Sequence, residues 1–311
     1  MALWLVTGGA GFIGSHLVEI LLQRGEKVRV LDNFATGKQE NLNAIQGDFE
    51  LIRGDVRDLD TCRQAVAGVD YVLHQAALGS VPRSIENPME THASNVTGTL
   101  NLLIAARDAA IKKFVCAGSS SVYGKNPALP KREDMVPMPI SPYAVSKLAQ
   151  ENYCLAFSEC YGLETVVLRY FNVYGPRQDP NSLYAAVIPK FFKAALEGRS
   201  PEICGDGEQT RDFTYVADCA EANFLAAAAD LNGQRVFNIA GGRQISVNQL
   251  WQEIKRITQT SVEAKHVAPR PGDVRHSLAD TARAGAVLGW KPEVPIQEGL
   301  ARTVQFFRGA A

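Results

Sequence analysis

Residues 3–15 read LWLVTGGAGFIGS, an apolar run followed by a glycine loop and the start of a helix. Gly9, Gly11 and Gly14 satisfy the pattern G-x-G-x-x-G, and Gly8 precedes them. Between a strand and a helix this pattern predicts a dinucleotide-binding loop. The glycines let backbone N–H groups approach a pyrophosphate, and the dipole of the helix favours the anion. The stretch therefore predicts that the chain starts with a nucleotide-binding strand–loop–helix unit.

Asp32 ends the second predicted strand, where a carboxylate accepts hydrogen bonds from both hydroxyls of an adenosine ribose. The same charge repels a 2′-phosphate, so Asp32 favours NAD over NADP. The alternative is a structural turn followed by a solvated aspartate. The strand–loop–helix–strand context argues against that alternative.

The first two thirds of the chain alternate β-branched runs with helical stretches. The predicted strands are 3–7, 28–32, 49–54, 71–77, 113–119 and 164–171. The predicted helices between them are 13–24, 58–67, 91–110 and 143–161. Strands alternating with helices long enough for right-handed crossovers predict an α/β fold, a doubly wound parallel sheet of the Rossmann type.

After Tyr174 the pattern loosens. A loop is predicted at 175–182, helices at 185–197, 246–258 and 295–308, and one further strand at 236–241. We expect a nucleotide-binding domain at 1–170 and a smaller α/β substrate domain at 171–311. The two are interleaved, because strand 236–241 returns to the first.

Composition excludes several classes of partner. Lys and Arg total 32 against 33 Asp and Glu, so the net charge of −1 offers no surplus for a nucleic-acid backbone. No apolar run approaches the roughly 20 residues that span a bilayer, and the start of the chain does not resemble a signal peptide. The six cysteines form no C-x-x-C pair and the five histidines show no metal-ligand spacing. We expect a cytoplasmic protein with reduced thiols, no membrane contact and no bound metal.

Two further strand ends carry candidate cofactor contacts. Asp55 and Val56 follow the third strand, where the carboxylate can accept from the adenine amino group and the valine can pack on the ring. The alternative for Asp55 is a plain helix N-cap. Gln75, Ala76 and Ala77 leave the fourth strand, and small side chains there let a cofactor pass close to the backbone.

The segment SPYAVSK places Tyr143 and Lys147 four residues apart at the start of a helix, on one face. An ammonium group nearby stabilises phenolate over phenol, which lets the tyrosine act as a base near neutral pH. Ser119 leaves the fifth strand and is placed to hydrogen-bond the same substrate hydroxyl. The alternative is a surface tyrosine with a solvated lysine. The glycine loop upstream favours a catalytic Ser119, Tyr143 and Lys147.

These motifs, together with SSSVYG at 119–124 and RYFNVYGPRQ at 169–178, resemble the extended short-chain dehydrogenase/reductase family and its nucleotide-sugar epimerases and dehydratases. The resemblance covers essentially the whole chain. It implies a permanently bound NAD. Dehydratases of the family carry Asp-Glu after the catalytic hydroxyl residue, whereas this chain has Ser120 and Ser121, so dehydration is disfavoured. The resemblance implies these NAD contacts: Gly8, Gly11, Phe12, Ile13, Gly14, Asp32, Asn33, Thr36, Gly37, Asp55, Val56, Gln75, Ala76, Ala77, Asn95, Tyr143, Lys147 and Tyr170.

The stretches 78–84, 179–191 and 270–280 are most similar to the family's 4-epimerases of UDP-hexoses and UDP-N-acetylhexosamines. The resemblance implies these UDP-sugar contacts: Ser80, Ser120, Ser121, Asn172, Ala186, Val187, Arg211, Arg270, Asp273 and Ser277. The guanidinium forks of Arg211 and Arg270 suit a diphosphate, and the alternative for each is a surface salt bridge. Ser277 falls where a bulky residue would exclude an N-acetyl group from the sugar 2-position.

The sequence thus predicts an NAD-dependent UDP-sugar 4-epimerase, acting on UDP-N-acetylglucosamine, UDP-glucose or both. One alternative is a UDP-glucuronate 4-epimerase, in which Ser120, Ser121 or an arginine would hold the C6 carboxylate. The other is a catalytically silent NAD-binding regulator, which an intact Ser119, Tyr143 and Lys147 argues against. We also expect a homodimer, with helices 91–110 and 143–161 forming a four-helix bundle. The alternative is that the leucines of helix 91–110 simply pack on the sheet.

Overall fold

The computed structural model describes residues 1–181, 186–269 and 275–309. Numbered in chain order, its strands are β1 (Leu3–Thr7), β2 (Lys27–Asp32), β3 (Glu50–Arg53), β4 (Tyr71–His74), β5 (Lys113–Ser119), β6 (Thr165–Tyr170), β7 (Val173–Tyr174), β8 (Glu202–Cys204), β9 (Thr210–Asp212), β10 (Thr214–Tyr215), β11 (Val236–Ile239), β12 (Gln244–Ser246) and β13 (Lys265–Val267).

Its α-helices are α1 (Phe12–Gln23), α2 (Gln39–Asn43), α3 (Leu59–Val66), α4 (Val81–Glu86), α5 (Pro88–His92), α6 (Gly98–Asp108), α7 (Pro142–Tyr161), α8 (Val187–Leu196), α9 (Val216–Ala228), α10 (Val247–Thr258), α11 (Ala282–Leu288) and α12 (Ile296–Gly309). A π-helical turn covers Ala93–Thr97, and a 3₁₀ turn covers Ser120–Tyr123.

The central feature is a seven-stranded sheet in the order β11-β6-β5-β4-β1-β2-β3, with every pairing parallel. This confirms the predicted doubly wound fold. The chain leaves β1 toward β2 and β3, then crosses over to β4 on the other side of β1. In such a sheet ligands bind outside the carboxyl ends of the strands, at the point where the order reverses. That edge carries the glycine loop and the segments after β4, β5 and β6.

Apolar side chains cover both faces of this sheet. On one face Leu17 and Leu21 of α1 pack with Ala226 of α9, and on the other Leu102 of α6 packs with Phe157 of α7. These helices leave β1, β4, β5 and β6 buried on both faces, which is why those strands are mainly apolar and do not alternate.

A second cluster of elements follows β6. Helices α8, α10 and α12 enclose a separate core that contains Phe191, Phe192, Trp251, Leu300 and Phe307. Beside it lie three small two-stranded pairings, β7 with β10, β9 with β12 and β8 with β13. The predicted domain boundary at residue 170 stays a prediction. Two later elements return to the first unit: β11 joins the main sheet, and α9 packs on one face of it.

The predicted helix at 91–110 is wrong in detail, because the chain is divided into α5, the π-helical turn and α6. The hydroxyl of Thr99 donates to Asn95 O at 2.6 Å, inside the region where the helix widens. Gly98 lies so close to the loop after β3 that a Cβ atom would stand 2.6 Å from Val56 Cγ2. These contacts hold the helix against the nucleotide-binding edge, and π-helical turns recur at functional sites.

Among the residues that the structure describes, no helix has both the length and the apolar character needed to cross a membrane. The same residues contain no group of three or more side chains arranged to hold a metal ion. The six cysteines are all free thiols.

Candidate active site

The glycine loop lies at the carboxyl end of β1, against the segment that follows β4. Gly8 has φ +68°, and a Cβ atom there would lie 2.8 Å from Ala76 N. The Gly8 N–H donates to Leu31 O at 2.8 Å, and the Gly11 N–H donates to Gly8 O at 3.0 Å. A side chain at position 8 would therefore force the loop away from the edge of the sheet.

Helix α1 begins directly after this loop, and no described side chain caps its N-terminus or places an acidic group in its first turn. The N–H groups of Phe12, Ile13 and Gly14 have no carbonyl partner within the helix, as in the first turn of any α-helix. Together with the helix dipole they form a site for an anion. The residues present therefore fit the diphosphate of NAD.

Asp32 is held at the end of β2 with its carboxylate pinned on both oxygens. Ala10 N–H donates to Oδ2 at 2.9 Å and Phe34 N–H donates to Oδ1 at 2.7 Å. Burial raises the pKa of Asp32 above its ordinary value, while these two amides act in the opposite direction. Each oxygen keeps a second lone pair, so the carboxylate is oriented and can still accept from a ribose.

After β3, the Asp55 carboxylate accepts from Arg57 and Asn33. The hydrogen bond from Arg57 is the main reason that the pKa of Asp55 is lowered to about 2. The N-cap alternative is wrong for Asp55, because Asp58 caps α3 by accepting from Asp60 N–H. Val56 is buried. Contact of Asp55 with adenine stays a prediction.

The remaining predicted cofactor residues lie in the loops after β2 and β4 and on β6. Thr36 is exposed, and Gly37, Ala76 and Ala77 are half-buried. Tyr170 is buried with its hydroxyl already engaged, since it donates to Asn223 Oδ1 at 2.9 Å and accepts from Gln75 Nε2 at 3.1 Å. If Tyr170 contacts a cofactor, it therefore does so through its backbone or the face of its ring and not through its hydroxyl.

Asn95 occupies the π-helical turn and is 0% exposed. Its Oδ1 accepts from Leu78 N–H at 2.7 Å, and its Nδ2 donates to Leu78 O at 3.3 Å and to Ser146 Oγ at 2.9 Å. The side chain thus ties the segment after β4 to α7. This placement does not agree with the predicted direct contact of Asn95 with the cofactor. The side chain is fully buried, and its amide is hydrogen-bonded to Leu78 and Ser146.

The catalytic candidates lie on two elements that pack together, Tyr143 and Lys147 on α7 and Ser119 at the end of β5. Ser141 caps α7 through Ala144 N–H, and Pro142 starts the helix. Lys147 is 4% exposed, and its Nζ donates to Ala117 O at 2.9 Å, two residues before Ser119. This bond fixes the helix that bears Tyr143 against the strand that bears Ser119.

The serines after β5 differ in their hydrogen bonding. Ser119 Oγ accepts from Ser121 N–H at 3.2 Å. The hydroxyl of Ser121 is buried and has no hydrogen-bond partner among the described residues, which suits a group that awaits substrate. Ser120 is half-buried. Ser80 lies on the facing loop, where its hydroxyl caps α4 by accepting from Arg83 N–H at 3.2 Å.

The predicted substrate residues after β6 come together in part. Asn172 has φ +36°, a conformation that asparagine tolerates better than most residues, and its Nδ2 donates to Asp212 O at 2.8 Å. The guanidinium of Arg211 donates to Thr210 O and Arg275 O at 2.9 and 3.2 Å. Ser277 N–H donates to Thr210 O at 3.2 Å. The predicted contacts Arg270 and Asp273 lie outside the described residues.

Arg211 also lines a cavity of ≈ 450 Å³ beside α8, which starts after Ala186. Val187, Pro201, Ile203 and Gln209 lie around the same cavity. The sequence did not single out the last three of these. The one sequence feature that could have indicated these cavity residues is their position shortly before Arg211. They lie in a segment of short strands and turns, and those strands pair with residues far along the chain.

A buried polar chain beneath the site was also missed. The Thr99 hydroxyl gives its one proton to Asn95 O, so His74 Nε2 donates to Thr99 at 2.8 Å and His74 Nδ1 accepts from Thr7 at 2.7 Å. Gln150 Nε2 also donates to Thr99, at 2.5 Å. Burial lowers the pKa of His74 to about 3, so the ring is neutral. The chain joins β1, β4, α6 and α7 below the cofactor edge.

The fold and this site define an NAD-dependent enzyme of the short-chain dehydrogenase/reductase type. The sequence profile of the NAD dependent epimerase/dehydratase family matches residues 4–240. The chain belongs to that family, is an isomerase, and has NAD as its cofactor.

Individual relatives match over the whole length. The UDP-glucose 4-epimerase of Mycolicibacterium smegmatis is 42% identical over 308 residues, 98% of each chain. The UDP-N-acetylglucosamine 4-epimerase of Methanobrevibacter ruminantium M1, solved with UDP-N-acetylmuramic acid, gives a TM-score of 0.96 at 44% identity, with 100% of this chain and 99% of that chain covered. The UDP-glucuronic acid 4-epimerase of Bacillus cereus, solved with UDP-glucuronic acid and NAD, gives 0.91 at 32% identity, with 99% and 100% covered.

Proposed function

We propose that this protein is a UDP-sugar 4-epimerase that acts on UDP-N-acetylglucosamine, UDP-glucose or both. The observation that carries the proposal is the fixed junction of α7 with β5, where Lys147 Nζ binds Ala117 O. The bond joins the helix that bears Tyr143 to the strand that ends at Ser119, at the sheet edge that also carries the glycine loop, and so supports a shared site. A base, a hydroxyl and an NAD site at one edge are what reversible oxidation of a sugar hydroxyl requires.

In this proposal Tyr143 removes the proton from O4 of the sugar and later returns it. When bound, NAD accepts the hydride from C4 and gives it back to the opposite face of the 4-keto sugar. The ammonium of Lys147 stabilises the Tyr143 phenolate, and Ser119 hydrogen-bonds O4. Asn172 and Arg211 hold the diphosphate, about which the keto sugar turns between the two transfers. No redox equivalent is consumed.

A UDP-glucuronate 4-epimerase is the second candidate, and one observation is compatible with it. The Ser121 hydroxyl is buried without a described partner, so it can donate to a C6 carboxylate. A primary C6 hydroxyl can use the same group as donor or acceptor. The two substrates are therefore separated by measurement, and Ser277, which leaves space beside the sugar 2-position, favours the N-acetylated sugar.

The mechanism is tested with a UDP-sugar that carries deuterium at C4. Because the hydride travels to bound NAD and back, the epimerised product should keep its deuterium in ordinary water, as read by mass spectrometry. A product that loses deuterium to solvent would point to proton abstraction from carbon and contradict the proposed reaction.

Asp32→Ala should weaken NAD binding about ten- to a hundredfold and reduce the ratio by which the protein prefers NAD to NADP. The variant loses a charged hydrogen-bond acceptor and the repulsion of a 2′-phosphate. Asp32→Asn keeps the shape of the side chain and isolates the charge. Calorimetry on apoprotein gives the NAD to NADP affinity ratio, with the exposed Asp60→Ala as control. If the ratio stays the same, Asp32 does not face the ribose.

We also propose a homodimer formed through α6 and α7. Of the apolar residues in α6, Leu102 and Leu103 are buried in the core, and Leu100 and Ile104 are half-buried and pack against the same core, as the packing alternative expected. On the neighbouring α7, Val145 is 54% exposed. Partner helices would cover this face.

Light scattering at micromolar protein should give twice the mass of one chain, and Val145→Arg should shift the mass toward the monomer. Val136→Arg is the matched control, since Val136 is 73% exposed in a loop away from both helices. A wild-type protein with monomer mass would rule the dimer out. Residence in the cytoplasm is part of the same proposal and agrees with six free thiols.

A further inference from the structure

Asp212, the last residue of β9, carries a carboxylate that is 0% exposed. Its Oδ2 accepts from Ala279 N–H at 3.0 Å across 67 residues of sequence. Its Oδ1 has no hydrogen-bond partner of ordinary geometry among the described residues, and it lies next to the loop that begins at Gly241. The side chain thus sits between two segments that approach β9 from different parts of the chain.

The carboxylate of Asp212 is connected to two candidate substrate groups through the segment 275–280, which includes Ser277 and whose Arg275 O accepts from the Arg211 guanidinium at 3.2 Å, and its backbone is connected to a third. Asn172 donates from Nδ2 to the backbone oxygen of Asp212 at 2.8 Å. Arg211 precedes Asp212 on β9. Ser277 lies two residues before Ala279, whose N–H is bound by the carboxylate. Asp212 therefore touches the supports of the diphosphate site and of the sugar site together.

The segment 275–280 lies between β9 and the loop around Lys131, which follows Ser119–Ser121 in the chain. On one side Ser277 N–H donates to Thr210 O at 3.2 Å. On the other side Lys131 N–H donates to Leu278 O at 2.7 Å, and Asp280 N–H donates to Lys131 O at 2.8 Å. The bond from Ala279 to the Asp212 carboxylate ties this segment to β9 from inside the protein, where Ala279 also packs with Tyr123 and Phe171.

A carboxylate in this place has a cost in stability. Burial raises the pKa of Asp212 to about 6, while the backbone N–H groups of Ala279 and of residues 241–243 oppose the rise. Because this pKa lies above the ordinary value of 3.8, the charge weakens folding as the pH rises through about 6. The charged form of Asp212 is therefore less stabilising at neutral pH than the protonated form would be.

We propose that Asp212 is a positioning residue for the UDP-sugar: its carboxylate fixes the segment 275–280 with Ser277 and, through Arg275 O, the guanidinium of Arg211, beside Asn172, which its backbone oxygen holds. It does not touch the reacting atoms. This inference rests on the proposed function, because the three groups are assigned there to the substrate. Loss of Asp212 should weaken binding of the nucleotide and leave the chemical step largely intact.

The test compares Asp212→Ala, Asp212→Asn and Asp218→Ala in the protein with NAD bound. Asp218 is the matched control, since its buried carboxylate also accepts from two backbone amides, Glu293 and Val294, both at 3.2 Å. Calorimetry with UDP gives Kd, and steady-state assays give KM and kcat. Thermal melting and NAD content report on the fold.

We expect Asp212→Ala to raise Kd for UDP and KM at least tenfold, with kcat within threefold of wild type. Asp212→Asn keeps one acceptor for the Ala279 N–H and should raise Kd for UDP about threefold. If the alanine variant does not fold, the asparagine variant tests whether Asp212 supports UDP binding. Asp218→Ala should lower the melting temperature and leave Kd unchanged. Wild-type UDP affinity in both Asp212 variants, or an equal loss in Asp218→Ala, overturns the inference. Failure of the wild-type protein to bind UDP overturns the proposed function instead.

Discussion

Replacing Tyr143 by phenylalanine should lower turnover at least about a hundredfold while NAD stays bound, since general base catalysis usually contributes that much or more. The substitution removes only the hydroxyl that exchanges the O4 proton. The ring stays, and so does the bond from the Tyr143 N–H to Ser84 Oγ at 3.0 Å. The fold and the cofactor site should therefore be unchanged.

Turnover, NAD content and melting temperature are measured on the same preparation. Tyr161→Phe is the control, because Tyr161 lies at the other end of α7 and is 55% exposed. A Tyr143→Phe protein that folds, holds NAD and turns over near the wild-type rate would show that another group is the base.

The second large effect concerns the size of the sugar pocket. Ser277→Tyr should lose activity on N-acetylated UDP-sugars and keep it on UDP-glucose or UDP-galactose. Ser277 is half-buried, and its backbone is held on both sides, by Thr210 O and by Gln244 Nε2 at 3.3 Å. Because the backbone is held in this way, it cannot shift to make room for an added phenol ring. Overpacking of about 1–3 kcal/mol corresponds to roughly tenfold to over a hundredfold discrimination.

The measurement is the ratio of kcat/KM for UDP-N-acetylglucosamine to that for UDP-glucose. Ser277→Ala is the matched control, since it removes the hydroxyl without adding bulk, and should leave the ratio near wild type. The same ratio in the tyrosine variant, or rejection of N-acetylated sugars by wild type, would mean that Ser277 does not border the 2-position. UDP-glucuronate is then the next substrate to test.

The parts of the fold that rest on local pattern were predictable. The stretch LWLVTGGAGFIGS forms β1, the loop and α1, because an apolar run, turn-forming glycines and a helix start are each encoded in neighbouring residues. Tyr143 and Lys147 share a helix face for the same reason, as a spacing of four is one helical turn. The strand at 236–241 was visible as an apolar run, and the structure places it beside β6 as β11.

What local pattern did not predict depends on contacts between distant segments. Asn95 was assigned to the cofactor, but it bonds to Leu78 and Ser146 across the π-helical turn. Nothing near Asn95 in the sequence specifies those partners. Asp212 looks like an ordinary acidic residue beside Arg211, and its role depends on Ala279. The α9 helix was missed because its VADCAEANFLAAA sequence carries too weak a polar face to show a helical period.

The most direct test of the central claim is a panel of UDP-sugars incubated with purified protein and separated by chromatography. We expect UDP-N-acetylglucosamine, UDP-glucose or both to be converted to their 4-epimers, with no added NADH or NAD consumed. We also expect Tyr143→Phe to abolish the conversion. The proposed function would be contradicted if neither sugar were converted, whether UDP-glucuronate alone was converted or no sugar of the panel was.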